Sequence, residues 1–320
     1  MKEKGYFENI YTEKDCMKLV YFDIQVLQRY IEDPKYLIFY SDYRGSIIMD
    51  DKYVDENAER IEYLKDFGLA YKKDDVDDRA VVTFAGDLVR LPSKMQSHFY
   101  SYYLENQNDY YPNDSFVENL IMGEWVEYIS IYQALIMEMH YINEMCLAIG
   151  IPKMFLKEFS CDSSWQHEKP SDFHVLLIPT EKKYYDFVIT LEKMITGNIN
   201  IQTFLESACL IRPVERKDEN GQNKGSLTLL TEGLTQNVRL ENIKKDINDP
   251  LRELIRERQK PAHKITQNKY DKLYWKKQNE FIENVYIAVR NIRLLMANHP
   301  MCKNVEIPDY LYDGRHIRTY

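Results

Sequence analysis

The stretch Asp114–Gly150, DSFVENLIMGEWVEYISIYQALIMEMHYINEMCLAIG, is the hydrophobic centre of this chain and decides its fold class. Its apolar residues recur at the spacing of one side of a helix. They are Phe116, Leu120, Ile121, Val126, Ile129, Leu135, Ile136, Met139, Ile142 and Leu147. Gly123 interrupts the pattern, and Gly150 with Pro152 ends it. The sequence therefore predicts a long buried helix at the centre of the fold.

The region before this helix mixes helical and strand patterns. Four segments predict helices: 12–32, which has a capping-box-like start, 54–67, 86–92 and 93–104. Two pairs of apolar segments separated by polar turns predict hairpins: 36–40 with 46–49, and 69–71 with 80–84. The N-terminal part is therefore expected to be an α+β domain.

The region after the central helix is predominantly helical. Segment 174–179 predicts a strand, Thr180 caps a helix to 196, and 201–210 predicts a short helix. The polar stretch Arg216–Gly225 predicts a β-hairpin or an exposed linker. Helices are predicted over 240–258 and 268–298. The chain is thus expected to be α+β and predominantly helical, with an acidic mixed domain (1–210), a hairpin or linker (211–238) and a helical domain (239–320).

Composition favours a protein of the cytoplasm. The five cysteines are widely separated, which indicates reduced thiols. The N-terminus leads into no apolar run, so no signal peptide is expected. No stretch approaches the roughly 20 apolar residues of a membrane span. Phosphate-binding loops, dinucleotide fingerprints and nucleophile elbows have no match, and no metal or cofactor is expected.

Charge is distributed unevenly along the chain, whose net charge is −9. Residues 239–320 contain 17 Lys and Arg against 11 Asp and Glu, whereas the remainder contains 25 against 40. A basic part on an acidic body is expected where one part of a protein binds a polyanion. The same pattern also arises where basic side chains only solvate a long helix.

The segment Arg256–His263, RERQKPAH, contains the candidate chemistry. Pro261 is expected to end the preceding helix, because it lacks an N–H and crowds the turn before it. Arg258 would then lie on the last turn and His263 in the following loop, within reach of one point. His263 can act as general base or acid, and Arg258 can stabilise charge on a phosphorane. The expected contacts to flanking phosphates are Arg256, Gln259 and Lys260.

Arg258-x4-His263 at a helix boundary, followed by a long helix, resembles the R-x4-6-H motif of HEPN-domain ribonucleases. The resemblance implies a helical bundle that dimerises, with two motifs meeting at the two-fold axis in one metal-independent RNase site. It implies a role as a toxin or in defence against phage. Gln259 departs from the Asn, Asp or His that commonly follows the arginine, and Ile265 stands where one subgroup has tyrosine.

Two readings of the segment stay open. In one, the chain cleaves RNA as a homodimer, and its N-terminal domain senses a trigger or restrains the activity. In the other, the C-terminal helices only dimerise and bind nucleic acid or a regulatory partner without turnover. In a purely structural role, Arg258 would interact with the helix dipole and His263 would cap the helix or lie buried.

Overall fold

The fold is α+β, with an N-terminal sheet and a C-terminal helical region. The computed structural model describes residues 6–7, 16–41, 43–54, 61–124, 128–162, 164–205, 213–235, 244–260 and 268–319. The strands are β1 (Leu19–Asp23), β2 (Tyr36–Ser41), β3 (Arg44–Met49), β4 (Phe67–Lys72), β5 (Asp75–Phe84), β6 (Tyr110–Pro112), β7 (Ile129–Ser130) and β8 (Ile317–Arg318). The helices are α1 (Gln28–Glu32), α2 (Ala85–Arg90), α3 (Ser93–Ser101), α4 (Asp114–Val117), α5 (Ile131–Ile149), α6 (Trp165–Glu168), α7 (Glu181–Met194), α8 (Gln202–Leu205), α9 (Ser226–Thr235), α10 (Asp249–Gln259), α11 (Leu273–Ala297) and α12 (Asp309–Asp313).

The N-terminal sheet is antiparallel, with the strand order β1-β5-β4-β3-β2 and β6 added beside β4. Both predicted hairpins are confirmed: β2 pairs with β3, and β4 pairs with β5. β2 is an edge strand of this sheet, and it lies beside residues 169–183 of the helical region. A separate parallel pair joins β7 to β8 near the C-terminus.

Two of the predicted N-terminal helices are wrong. Residues 16–32 of the predicted helix 12–32 form β1, a 3-10 turn and only the short α1, because Leu19–Asp23 pairs in register with Ala80–Phe84; residues 12–15 lie outside the described ranges. Val20 and Phe22 face the main core, whereas Tyr21 faces a second apolar cluster, so packing on both sides favours a strand. In the predicted helix 54–67, residues 61–66 are irregular and Phe67 begins β4; residues 55–60 lie outside the described ranges.

The predicted helix at Asp114–Gly150 is broken in two. α4 continues into a π-helical turn, Glu118–Met122, which ends at Gly123 in the left-handed conformation (φ +71°). α5 begins after Ser130, whose Oγ accepts a hydrogen bond from the Tyr132 N–H at 3.1 Å. Gly150, also left-handed (φ +84°), ends α5 as predicted. The central helix is therefore α5, shorter than the apolar pattern.

The connecting regions differ from prediction in two places. Segment 174–178 runs without a ladder partner and is not a strand. Residues 226–235, expected to form a hairpin strand or linker, form the helix α9. A tight turn with a bridge between Lys217 and Asn223 precedes it. The boundary placed at 211–238 stays a prediction.

The main core lies where α5 packs against α11, with α7 and α10 beside them and β5 against α11. Fully buried aromatic side chains from both ends of the chain take part, including Phe22, Phe99, Phe187 and Trp275. Burial of such side chains stabilises a fold by about 1.5–3 kcal/mol each before entropy is subtracted. Within the described ranges, every helix is too short or too polar to cross a bilayer.

Candidate functional site

The predicted site lies at the C-terminal end of α10. α10 ends at Gln259, one residue after Arg258 and just before Pro261. This agrees with the predicted end of the helix at the proline. His263 belongs to 261–267, outside the described residues, so the expected approach of His263 to Arg258 stays a prediction.

Arg258 is held by an ion pair with α7. Its Nε lies 3.4 Å from Oε2 of Glu192, whose side chain is largely buried. The Thr196 Oγ1 donates a hydrogen bond to the other carboxylate oxygen at 2.8 Å, which fixes the Glu192 side chain. The side chain of Arg258 stays 46% exposed. The ion pair at Nε therefore orients the guanidinium, and the side chain of Arg258 remains accessible to solvent.

The three predicted phosphate contacts also lie at the surface of α10. Arg256 pairs with Glu253 at 3.4 Å, and Lys260 forms a close ion pair with Glu257. Gln259 is exposed. Hydrogen bonding to Glu257 raises the pKa of Lys260, so this ammonium is charged at neutral pH. The structure thus brings Arg256, Arg258 and Lys260 to one helix end, each with a carboxylate partner.

Glu257 connects α10 to the first turns of α7. It is 8% exposed, and its carboxylate lies near the Tyr184 hydroxyl. Burial, with the negative charge of Glu257, raises the pKa of Tyr184 and of its neighbour Tyr185. Both phenols are therefore neutral hydrogen-bonding groups at physiological pH. Lys260, next to Tyr185, is the last described residue before the predicted histidine.

Asn268 and Lys269, which follow the segment 261–267, contact the N-terminal end of α7. The Asn268 Oδ1 accepts a hydrogen bond from the Lys182 N–H at 3.0 Å, and the Lys269 carbonyl accepts one from the Glu181 N–H at 2.9 Å. Lys260 and Asn268, the residues on either side of 261–267, therefore both lie at the N-terminal part of α7. Thr180 caps this helix, as predicted, by accepting a hydrogen bond from the Lys183 N–H.

A second candidate site, which the sequence did not indicate, is a cavity of about 650 Å³ beside β2. Its size is in the range of small-molecule sites. One side, called here the aromatic wall, consists of Tyr30, Tyr36, Phe39 and Tyr40. The other side, called here the basic wall, consists of Lys169, His174, Lys182 and Lys183. Asn268 also lines the cavity, which therefore borders the first turn of α7.

Side chains of α11 hold the basic wall in place. The fully buried Gln278 accepts a hydrogen bond from the Leu176 N–H and donates one to the His174 carbonyl, both at 2.8 Å. The Trp275 Nε1 donates to the Leu176 carbonyl at 2.7 Å. Backbone groups of His174 and Leu176 thus find partners in side chains of α11, without a neighbouring strand.

No metal centre is apparent in the part of the chain that the structure describes, where no three His, Cys, Asp or Glu side chains cluster suitably. The HEPN resemblance rests on the Arg258–His263 spacing and on the helices around it. Comparisons with protein-family models, with curated proteins and with solved structures find no match for this chain.

Proposed function

We propose that this protein is a metal-independent endoribonuclease of the toxin or anti-phage defence type, acting through Arg258 and His263 in a homodimer. The observation that carries the proposal is the end of α10, where an oriented and half-exposed guanidinium stands three residues before Pro261 and five before His263 in the sequence. Lys260 and Arg256 are further exposed cations at the same helix end. A guanidinium is suited to bind a phosphodiester, and further cations at the helix end would attract the RNA backbone.

The proposed reaction is transfer of the phosphoryl group within the RNA. His263 removes the proton from a ribose 2′-OH, and the 2′-oxygen attacks the adjacent phosphorus. The bond from phosphorus to the 5′-oxygen breaks, and a protonated imidazole donates a proton to the leaving oxygen. The products are a 2′,3′-cyclic phosphate and a 5′-hydroxyl. Arg258 stabilises the charge that develops on the phosphorane oxygens.

The test uses purified protein with tRNA, ribosomal RNA and unstructured oligonucleotides in the presence of EDTA. Cleavage is expected in EDTA, with 2′,3′-cyclic phosphate ends. His263→Ala should slow it by about 100-fold or more, in the range for loss of a general acid or base. Arg258→Ala should have a similar effect. Arg252→Ala is the matched control, because Arg252 is an exposed cation of α10 outside the motif and pairs with Asn248.

The RNase proposal fails if His263→Ala cleaves at the wild-type rate. It also fails if the wild-type protein cleaves none of these RNAs. Unfolding curves of the two motif variants should match those of the wild type, which separates loss of chemistry from loss of folding.

A second candidate function is RNA or partner binding without turnover. The observation that favours it is the pairing of Arg256, Arg258 and Lys260 with Glu253, Glu192 and Glu257. Such pairs reduce the positive charge offered to a phosphate. Retention of RNA without any cleavage product, weakened by Arg258→Ala and by added salt, would favour this function over the first.

A further inference from the structure

The cavity beside β2 has two sides of different chemistry. The aromatic wall comes from residues 30–40, and the basic wall comes from residues 169–183. A ligand that fills the cavity therefore meets rings on one side and cations on the other. This arrangement fits a molecule with a planar ring system at one end and an anionic group at the other.

The rings of the aromatic wall are fixed by their neighbours. Tyr30 is fully buried and donates from its hydroxyl to the Glu62 carbonyl at 3.1 Å. Tyr36 meets Tyr30 edge to face at 5.0 Å between ring centroids. Tyr40 stacks on Phe67 at 6.1 Å. Of these rings, Tyr36 is partly exposed, and the buried Tyr30 holds it in place. A planar ligand would therefore bind Tyr36 with little loss of side-chain entropy.

The basic wall is positive in a chain that is acidic overall. Three lysines line the cavity, and among the described lining residues Glu32 is the single carboxylate. Lys183 lies 3.7 Å from Asp172, and the Lys169 ammonium donates to the Phe173 carbonyl at 2.7 Å. Lys182 has no carboxylate partner among the described residues. The N-terminus of α7 adds its positive dipole end at the same place.

His174 contributes a neutral polar group to this wall. Its Nδ1 lies 2.6 Å from the Val175 carbonyl, so Nδ1 carries the proton and Nε2 is left as an acceptor. Burial lowers the pKa of His174 to about 4, which keeps the ring neutral at physiological pH. A neutral acceptor beside lysines suits a ligand that brings hydroxyl or amino donors together with its anionic group.

We propose that this cavity binds a free nucleoside monophosphate, with the base against the aromatic wall and the phosphate at Lys182 and Lys183. Aromatic side chains bind the face of any base, and lysine binds phosphate as a point charge. The binding needs no RNA cleavage, so it and the RNase proposal stand or fall separately.

Calorimetric titration with AMP, GMP, CMP and UMP tests the proposal on the full-length protein. At least one of them is expected to bind and to raise the unfolding temperature. The matching nucleoside, which has no phosphate, and ribose 5-phosphate, which has no base, should each bind at least about tenfold more weakly. Inorganic phosphate alone should bind more weakly still.

Variants of each wall locate the bound nucleotide. Lys182→Ala with Lys183→Ala should raise the Kd by about tenfold or more, through loss of two phosphate contacts. Lys193→Ala is the matched control, because Lys193 is an exposed lysine of α7 that lies away from the cavity. Tyr36→Phe should keep the affinity, whereas Tyr36→Leu should lower it.

Three results would overturn the proposal. The first is no binding of any of the four nucleotides at about millimolar concentration, the weak end of the measurable range. The second is equal affinity in the lysine double variant and the Lys193 control. The third is binding of a 5′-phosphorylated RNA oligonucleotide through Lys182 while the free nucleotides stay unbound, since the ligand would then be an RNA end.

Discussion

Glu138 of α5 and Arg293 of α11 form an ion pair in which both side chains are fully buried. The Arg293 Nη2 lies 3.1 Å from the Glu138 Oε1 and donates to the Leu311 carbonyl at 2.8 Å. Tyr286 lies against the same carboxylate. One buried pair therefore joins the central helix to the longest C-terminal helix and to α12.

Removal of one partner of this pair should destabilise the fold strongly. Arg293→Met is expected to lower the free energy of unfolding by about 3–5 kcal/mol, because Glu138 is left as an unpaired buried charge. The double variant Glu138→Leu with Arg293→Met should recover at least half of that loss. Arg315→Met, which removes the exposed pair with Asp313, is the control and should change stability by under about 1 kcal/mol. Urea unfolding measures all three. Additive losses in the double variant would contradict the expectation.

Gln278 is expected to support both the fold and the cavity. Gln278→Leu removes the hydrogen bonds to Leu176 and His174 and leaves two buried backbone groups without partners. The expected loss of unfolding free energy is about 2–6 kcal/mol, from about one to three for each group. Lys276→Gln, at an exposed position of the same helix, should have little effect. A small loss in Gln278→Leu would mean that other groups or water satisfy segment 174–178.

The half-buried imidazole of His174 predicts a pH dependence of stability. Its pKa falls from 6.5 to about 4 on folding, so below pH 6.5 the unfolded chain binds a proton that the folded protein does not. Stability should therefore decrease as the pH falls from 6.5 towards 4, by up to about 1.4 kcal/mol per pH unit. His174→Asn should reduce this slope, measured by urea unfolding between these pH values. His316→Asn removes an exposed imidazole and should keep the wild-type slope. Equal slopes in the wild type and His174→Asn would refute the assignment.

Gly68 is required by the ring that covers it. A Cβ at this position of β4 would lie 2.5 Å from Cδ2 of Phe116, which stacks on Phe84. Gly68→Ala should therefore cost about 1–3 kcal/mol of unfolding free energy through overpacking. Phe116→Leu in the Gly68→Ala background should cost less than it does alone, because the smaller side chain relieves the clash. A double-mutant cycle without coupling would show that the ring moves aside freely.

Local signals in the sequence were sufficient for part of the fold. Gly150 and Thr180 end and begin helices because left-handed geometry and a side-chain cap act within a few residues. The sequence predicts a helix over Leu19–Asp23 because its apolar residues fit the periods of both helix and strand, and only the pairing with β5 decides between them. The sequence predicts the end of α10 from Pro261. It does not predict the ion pair of Arg258 with Glu192, because these residues lie 66 positions apart.

The cavity could not be predicted from the sequence, because it too depends on contacts between residues that lie far apart in the chain. Its walls lie more than a hundred residues apart in the chain and meet only when segment 174–178 is fixed by α11. No residue of either wall belongs to a short motif. Tyrosines and lysines of this kind are indistinguishable in the sequence from ordinary core and surface residues.

α7 contacts both candidate sites, because Glu257 and Lys260 at the end of α10 lie beside its first turns, where it also borders the cavity. Its first turn borders the cavity, and Glu192 near its last turn holds Arg258. A helix of 14 residues is a rod about 20 Å long. Any displacement of this rod along its axis reaches both ends together. If a nucleotide in the cavity changes the affinity of the α10 end for RNA by some factor, RNA must change the affinity for that nucleotide by the same factor. Measuring either affinity with and without the other ligand would therefore give the coupling free energy between the two sites.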